Sequence, residues 1–422
     1  VELDDRKTVI LAGFIGNVVE WYDFALYGYL ADVFGQLLFP GHSHVATLLE
    51  AYGVFAAGFI MRPVGAAWFG WFGDLFGRGK TMLISISMMV LPTFLLGCIP
   101  SFDTIGILAP VLLVIVRLVQ GFSVGGEFSS SVTYLVETAP DGTRGFSGSW
   151  ANTGSLVGML IGAGAAAAVT TFCTHDFLMS WGWRIPFLFG SVIGGFGIWV
   201  RRKLPVSELF MKHHAKRGET SPFIAAWTNN RKETIQGILF ASGYSVFFYF
   251  SLVYLPDWVH EHTGIAEDTA LQINTIATAL MIPLIPLSGV IGDRYMRRHT
   301  FIGIAVALIA LLAYPMFLWL KDGTLVGVIT VQLLLDVLVA VPLGSCPAMF
   351  AELFPTRDRL SGYSMAYNLG YGIVGGTTPV IATWLIASTG ARLAPVFYLI
   401  ALTTLSIVTL IWMRDRSREA LR

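Results

Sequence analysis

Charge is what this chain has least of. Only 13% of its 422 residues are Asp, Glu, Lys or Arg, and the two signs cancel to a formal net charge of +0. Soluble domains carry roughly 25% charged residues. A nucleic-acid partner needs a basic face, which a neutral balance does not supply. Cysteine is scarce as well: Cys98, Cys173 and Cys346 lie far apart in apolar surroundings and match neither a disulfide framework nor a metal spacing. There is no P-loop, no nucleophile set beside a base and no cluster of metal ligands. ATP-driven pumping and enzymatic chemistry are therefore excluded, and neither a cofactor nor a metal is expected. No polar stretch is long enough to form a soluble sensor domain. The place of all these is taken by apolar sequence, 55% of the residues, with a mean hydropathy of +0.68. One globule cannot bury so much.

The chain repeats itself. Gly70-Trp71-Phe72-Gly73-Asp74, followed by Arg78 and Lys80, returns as Gly289-Val290-Ile291-Gly292-Asp293, followed by Arg297 and Arg298. Glu137-x-x-Pro140-x-x-x-Arg144 returns as Glu352-x-x-Pro355-x-x-x-Arg359. Two motifs with nearly equal offsets indicate a duplicated half, a signature of secondary transporters in a membrane chain.

A membrane-spanning helix needs about 20 mostly apolar residues. Twelve such runs lie near 10–38, 47–69, 81–99, 107–135, 148–171, 184–200, 234–257, 269–291, 300–319, 324–350, 360–388 and 393–412. None alternates like a barrel strand, so the fold class is an all-α membrane protein. The first run is no signal peptide, since it is too long and holds Glu20 and Asp23. Residues 1–200 form one six-helix bundle, 201–233 a basic connecting loop and 234–422 a second bundle. Lys and Arg gather at the termini and in loops after even-numbered spans, while the opposite loops hold almost only Lys321 and Arg392. Positive residues stay inside, which predicts both termini and the central loop in the cytoplasm.

Charges within spans carry the expected chemistry, because each costs about 2.5–3.5 kcal/mol at the bilayer centre and needs a partner or a cavity. Glu20 and Asp23, three residues apart, share one face of span 1. Arg117 stands near the middle of span 4, with Glu127 about 15 Å further along it, and Asp336 lies in span 10. Arg117 is the candidate to receive an anionic group, and Glu20, Asp23 and Glu127 are candidates to carry protons. The alternative is a static ion-pair network that only holds helices together. Tyr27, Asn152, Ser155, Tyr249, Tyr367 and Asn368 are further candidates to line a central substrate cavity.

Other features have plainer readings. The glycines around Gly125 and Gly126, and Gly154, Gly158 and Gly162, suit close helix packing. His42 with His44, and His260 with His262, are isolated pairs that rarely bind metal. Tyr244, Phe247, Phe248, Tyr249, Phe250 and Tyr254 crowd span 7. They read as an interfacial aromatic belt, with a ring box for a quaternary ammonium as the alternative.

Taken together, the Asp74 loop and Arg117-x-x-Gln120-Gly121 resemble the major facilitator superfamily. Gly16-Asn17…Glu20-Trp21-Tyr22-Asp23-Phe24, Arg62-Pro63-Val64-Gly65, the Gln120 to Glu127 string and Trp181 to Phe187 resemble its metabolite:proton symporters for proline and betaine, 2-oxoglutarate, citrate and shikimate. The resemblance covers nearly the whole chain. It implies two six-helix bundles rocking about a central site in a bacterial inner membrane, with the proton as coupling ion. It also implies a cytoplasmic gate involving Asp74. The repeated motifs nominate Arg78, Glu137 and Arg144, with Asp293, Arg297 and Glu352, as its other members. Gly79 stands where a basic residue is expected and Met296 where a glycine is, which implies a less tightly turned second loop.

The function expected is a monomeric, proton-coupled symporter importing a small carboxylate-bearing metabolite. The metabolite is either a di- or tricarboxylate or a zwitterionic osmolyte such as proline or betaine. A proton-coupled antiporter exporting drugs or metabolites is the alternative.

Overall fold

The computed structural model describes residues 3–39, 44–204, 211 and 227–421, and among these there is no strand. Twelve long helices follow one another: α1 (Leu3–Tyr29), α2 (His44–Phe76), α3 (Arg78–Cys98), α4 (Leu108–Glu137), α5 (Arg144–Phe172), α6 (Ile185–Arg201), α7 (Arg231–Thr263), α8 (Glu267–Arg294), α9 (Arg298–Leu320), α10 (Leu325–Leu353), α11 (Arg359–Thr389) and α12 (Ala394–Trp412). Among the described residues ten helices are long and apolar enough to cross a membrane, and α6 makes an eleventh span with the bent segment before it. The 33 residues of α2 give it a length of about 50 Å. Large apolar side chains such as Leu311, Val380 and Ile411 cover the outside, where lipid rather than water is the solvent. This is a multi-pass membrane protein.

Within the first half α1 packs on α5, α2 on α4, and α3 on α4 and α6; within the second α7 packs on α11 and α12, and α9 on α10 and α12. Small residues set the closeness of the α1–α5 pair. A Cβ on Gly154, Gly158 or Gly162 would come within 2.4, 2.2 and 2.6 Å of the carbonyl oxygens of Phe14, Val18 and Tyr22. Both sets recur every four residues, one helical turn.

Two of the expected continuous spans are broken. The run 10–38 divides at Leu30 into α1 and a short helix, Ala31–Leu38, because an unbroken apolar run records burial but not chain direction. The α8 run is interrupted around Pro283, between Glu267–Met281 and Leu284–Arg294. Two others widen. α7 contains a π-helical turn at Phe250–Tyr254 and α11 one at Asn368–Gly375. In α7 the cause is local: Pro256 has no N–H for the carbonyl of Leu252, and the Asn274 side chain donates to that oxygen instead, at 3.1 Å.

Candidate translocation site and gates

Arg117 and Asp23 meet. The guanidinium donates to Asp23 Oδ2 and to Gln120 Oε1, each at 2.8 Å, and lies 4.4 Å from the centre of the Tyr27 ring. Gln120 and Thr93 both donate to Asp23 Oδ1 at 3.0 Å. Every polar member of this cluster is buried. Breaking such a buried pair by removing one partner typically costs about 3–5 kcal/mol.

Beside it lies a cavity of about 20 Å³, lined by Glu20, Asp23, Phe24, Phe59, Arg62 and Arg117 among others. That volume is about one water molecule. Here Arg62 faces Glu20 at 3.8 Å and lies 4.5 Å from the centre of the Phe59 ring. Tyr249 of the other bundle lies near the same pair.

The aromatic residues of α7 are not a belt at the membrane surface. Tyr244, Phe248 and Tyr249 are 1%, 2% and 3% exposed and point between the bundles. Tyr371 is their hub, with ring centres 5.2 Å from Tyr244, 5.8 Å from Phe248 and 5.8 Å from Tyr249. Tyr367 stacks between Tyr371 and Phe128 at 4.6 Å from each. Trp21 joins from α1, 5.8 Å from Phe248. Composition alone cannot tell an inward ring from an outward one.

Among the remaining expected cavity residues, Asn152 donates to Leu343 O at 2.7 Å and Asn368 to Gly125 O at 2.9 Å, both across the bundle interface. Ser155 instead bonds to its own helix through Ala151 O, at 3.1 Å. Glu127 is remote from the Arg117 cluster and forms a buried two-pronged pair with Arg201, with Ser85 donating to it as well. Arg201 also donates to Ala12 O and Met82 O. It belongs to the last turn of α6, not to the expected connecting loop, most of which lies outside the described residues. Asp336 is separate again, buried in the second bundle and receiving bonds from Ser251 and Gln332 at 2.8 and 3.1 Å.

The duplicated motifs converge at one end of the molecule. Both termini are there: Arg6 lies over the Phe146 ring, and Arg144 donates to Glu419 O at 2.8 Å. Asp74 accepts from the backbone N–H groups of Leu360 and Ser361, at 3.2 and 2.8 Å. Its counterpart Asp293 accepts from Gly145 and Phe146, both at 2.8 Å. Each carboxylate thus caps the start of a helix in the other bundle, where free N–H groups and the helix dipole favour negative charge.

Ion pairs reinforce both seams. Glu137 receives Arg78 at 3.1 Å and, from the other bundle, Arg359 at 2.7 Å. Glu352 receives Arg298 and, across the interface, Arg144 at 3.4 Å. The expected member Arg297 is exposed, and Arg298 does this work instead, also pairing with Asp293 at 2.7 Å. The reason is one extra residue. Gly77 turns the first loop with φ 103, whereas Arg297 caps α9 with φ −64 and pushes the first helical arginine one place on.

At the opposite end the α5–α8 seam opens into a cleft of about 670 Å³ lined by Tyr29, Leu160 to Thr170 and Leu271 to Ile276. His260 and His262 bond to the carbonyls of Ile265 and Trp258. No metal-binding group occurs among the described residues, and His42 lies outside them.

The chain matches the family description "Sugar (and other) transporter" over residues 8–234 and "Major Facilitator Superfamily" over 247–422. It is 32% identical to the proline/betaine transporter of Salmonella typhimurium, covering 100% of this chain and 86% of that one. It is also 32% identical to the glycine betaine/proline/ectoine/pipecolic acid transporter OusA of Dickeya dadantii, with the same coverage. The solved proton:xylose symporter XylE, bound to 6-bromo-6-deoxy-D-glucose, superposes with a TM-score of 0.78 at 17% identity, covering 98% of this chain and 96% of that one. FucP in the outward conformation gives 0.72 at 13% identity, with 95% and 98% covered. A duplicated twelve-helix scaffold with these relatives is a transporter and not an enzyme, and the chain belongs to the major facilitator superfamily.

Proposed function

We propose that the protein imports a small carboxylate-bearing zwitterion, of the proline or betaine kind, together with a proton. The observation that carries this reading is the buried Asp23–Arg117 pair beside a small cavity in the first bundle. A carboxylate held by one arginine and two neutral donors has two stable states. Ionised, it binds Arg117; protonated, it releases the guanidinium's charge to the cavity. Coupling follows if the loaded protein changes state only from the second. Glu20 is a second acidic candidate on the same helix face, and Glu127, clasped by Arg201, is the third.

The seams support alternating access. The terminal end, cytoplasmic by the distribution of Lys and Arg, is shut by the Asp74 and Asp293 caps, while the other end is cleft. The orientation places the cleft on the outer face of a bacterial inner membrane. The relatives' named substrates, glycine betaine, proline, ectoine and pipecolic acid, favour a zwitterion over a di- or tricarboxylate. The chain is expected to act as a monomer, with no cofactor beyond the proton.

Electrical energy then helps. A zwitterion entering with one proton carries one net charge, which at roughly 150 mV gains about 3.5 kcal/mol. Addition of glycine betaine to proteoliposomes containing the purified protein is expected to produce an inward positive current that grows as the outside is acidified. Substrate uptake without current, and indifferent to pH, is the opposing result.

A further inference from the structure

We infer that Arg62 and Glu20, rather than Arg117, form the charge clasp for the substrate: Arg62 takes the carboxylate and Glu20 the cationic nitrogen. The inference rests on the transport reading above and assigns its chemistry to particular side chains.

Arg117 is already committed. Asp23, Gln120 and the Tyr27 ring occupy its guanidinium, so an incoming anion must displace a strong partner. Arg62 has no close carboxylate partner, only the Phe59 ring and the neighbouring Tyr249. Its nearest carboxylate oxygen, Glu20 Oε1, is 3.8 Å away, beyond hydrogen-bond range. Glu20 Oε2 is buried without a hydrogen-bond partner, a condition that buried polar atoms rarely keep. Both residues line the small cavity of the first bundle, and Glu20 is only 4% exposed. A long ion pair without a hydrogen bond, one of its oxygens bare, can be completed by a ligand that bonds to both residues.

Charge balance selects the class. A zwitterion inserted between Arg62 and Glu20 exchanges one loose pair for two close ones, and the buried site stays neutral throughout. A dicarboxylate would set a second negative charge against Glu20. The walls are aromatic: the Phe59 and Phe24 rings meet edge to face with centres 5.9 Å apart, and they offer π faces to a cation once the one-water cavity widens and Arg62 leaves the Phe59 ring. Tyr249 of the second bundle lies near the pair, so a ligand here comes close to both bundles.

The test is equilibrium binding of glycine betaine and of choline, which keeps the quaternary nitrogen but lacks the carboxylate, to purified wild type, R62Q, E20Q and R117Q. Wild type must first bind betaine; if it does not, the zwitterion reading itself fails. R62Q is expected to weaken betaine by about 10- to 100-fold and choline by no more than about threefold, the loss of one charged hydrogen-bonding partner. E20Q is expected to weaken both ligands together, and R117Q to keep the betaine-to-choline ratio near that of wild type. The ratio is read on the fraction of protein that binds, so partial misfolding does not imitate the result. An R62Q protein with an unchanged ratio, or with equal loss of both ligands, overturns the inference, as does an R117Q protein in which betaine alone is lost.

Discussion

Buried arginines in this protein differ in how firmly they are held, and the difference sorts structure from function. Arg201 sits in the last turn of α6 with every guanidinium nitrogen engaged, including two on Glu127. Arg201→Gln leaves Glu127 buried without a counter-charge and is expected to destabilise the fold by about 3–5 kcal/mol, read as a large drop in the thermal unfolding midpoint in detergent. A midpoint within a degree or two of wild type would contradict that. The paired arginines of the second gate loop make a sharper comparison. Arg298→Ala is expected to impair transport, since Asp293 and Glu352 both lose the arginine they share, while the exposed Arg297→Ala stays close to wild type. Equal effects of the two substitutions would refute the assignment. Which residue is buried was not legible from the repeat alone. Spacing from Asp74 to Arg78 nominates Arg297, and only the extra loop residue, replacing a positive-φ glycine turn, transfers the role to Arg298.

At the scale of helices, most of the architecture could be read from hydropathy and small residues. The twelve apolar runs fall within a few residues of the helices, because lipid demands about 20 apolar residues per crossing and backbone bonds satisfied within the segment. The glycine stripe of α5 was legible for the same reason: a helix that must approach another backbone has no room for a side chain. Gly158→Leu places a Cβ 2.2 Å from Val18 O and forces α1 and α5 apart. Overpacking of this kind costs about 1–3 kcal/mol, and the expected result is a lower melting temperature together with slowed transport, measured on the same preparation. A variant as stable and active as wild type would show that the helices separate freely. Directions of side chains were less legible. The α7 rings read as a belt because aromatic content is the same whether the face turns to lipid or to the opposite bundle. Their burial follows from α7 packing on α11, whose tyrosines Tyr367 and Tyr371 complete the cluster. The partner of Glu127 escaped notice because a basic residue at a span end ordinarily points to water.

For the whole molecule, the duplicated carboxylate caps mean that both seams are locked by equivalent contacts at the terminal end. Glu137→Gln removes the charge shared by Arg78 and Arg359 and is expected to shift the population toward a state with the opposite seam closed. A single cysteine at Thr275, in the cleft between α5 and α8, reports this once Cys98, Cys173 and Cys346 are replaced by alanine. Its labelling by a membrane-impermeant maleimide should slow by several-fold in the Glu137→Gln background, and unchanged or faster labelling would argue that the pair does not hold the gate. Coupling of that motion to a proton is the centre of the account, and one measurement reaches it most directly: glycine betaine uptake by proteoliposomes under an inward proton gradient, wild type against Asp23→Asn. Wild type is expected to accumulate substrate above the outside concentration, whereas Asp23→Asn exchanges labelled for unlabelled substrate yet accumulates none. Accumulation by Asp23→Asn to the wild-type level would contradict the account.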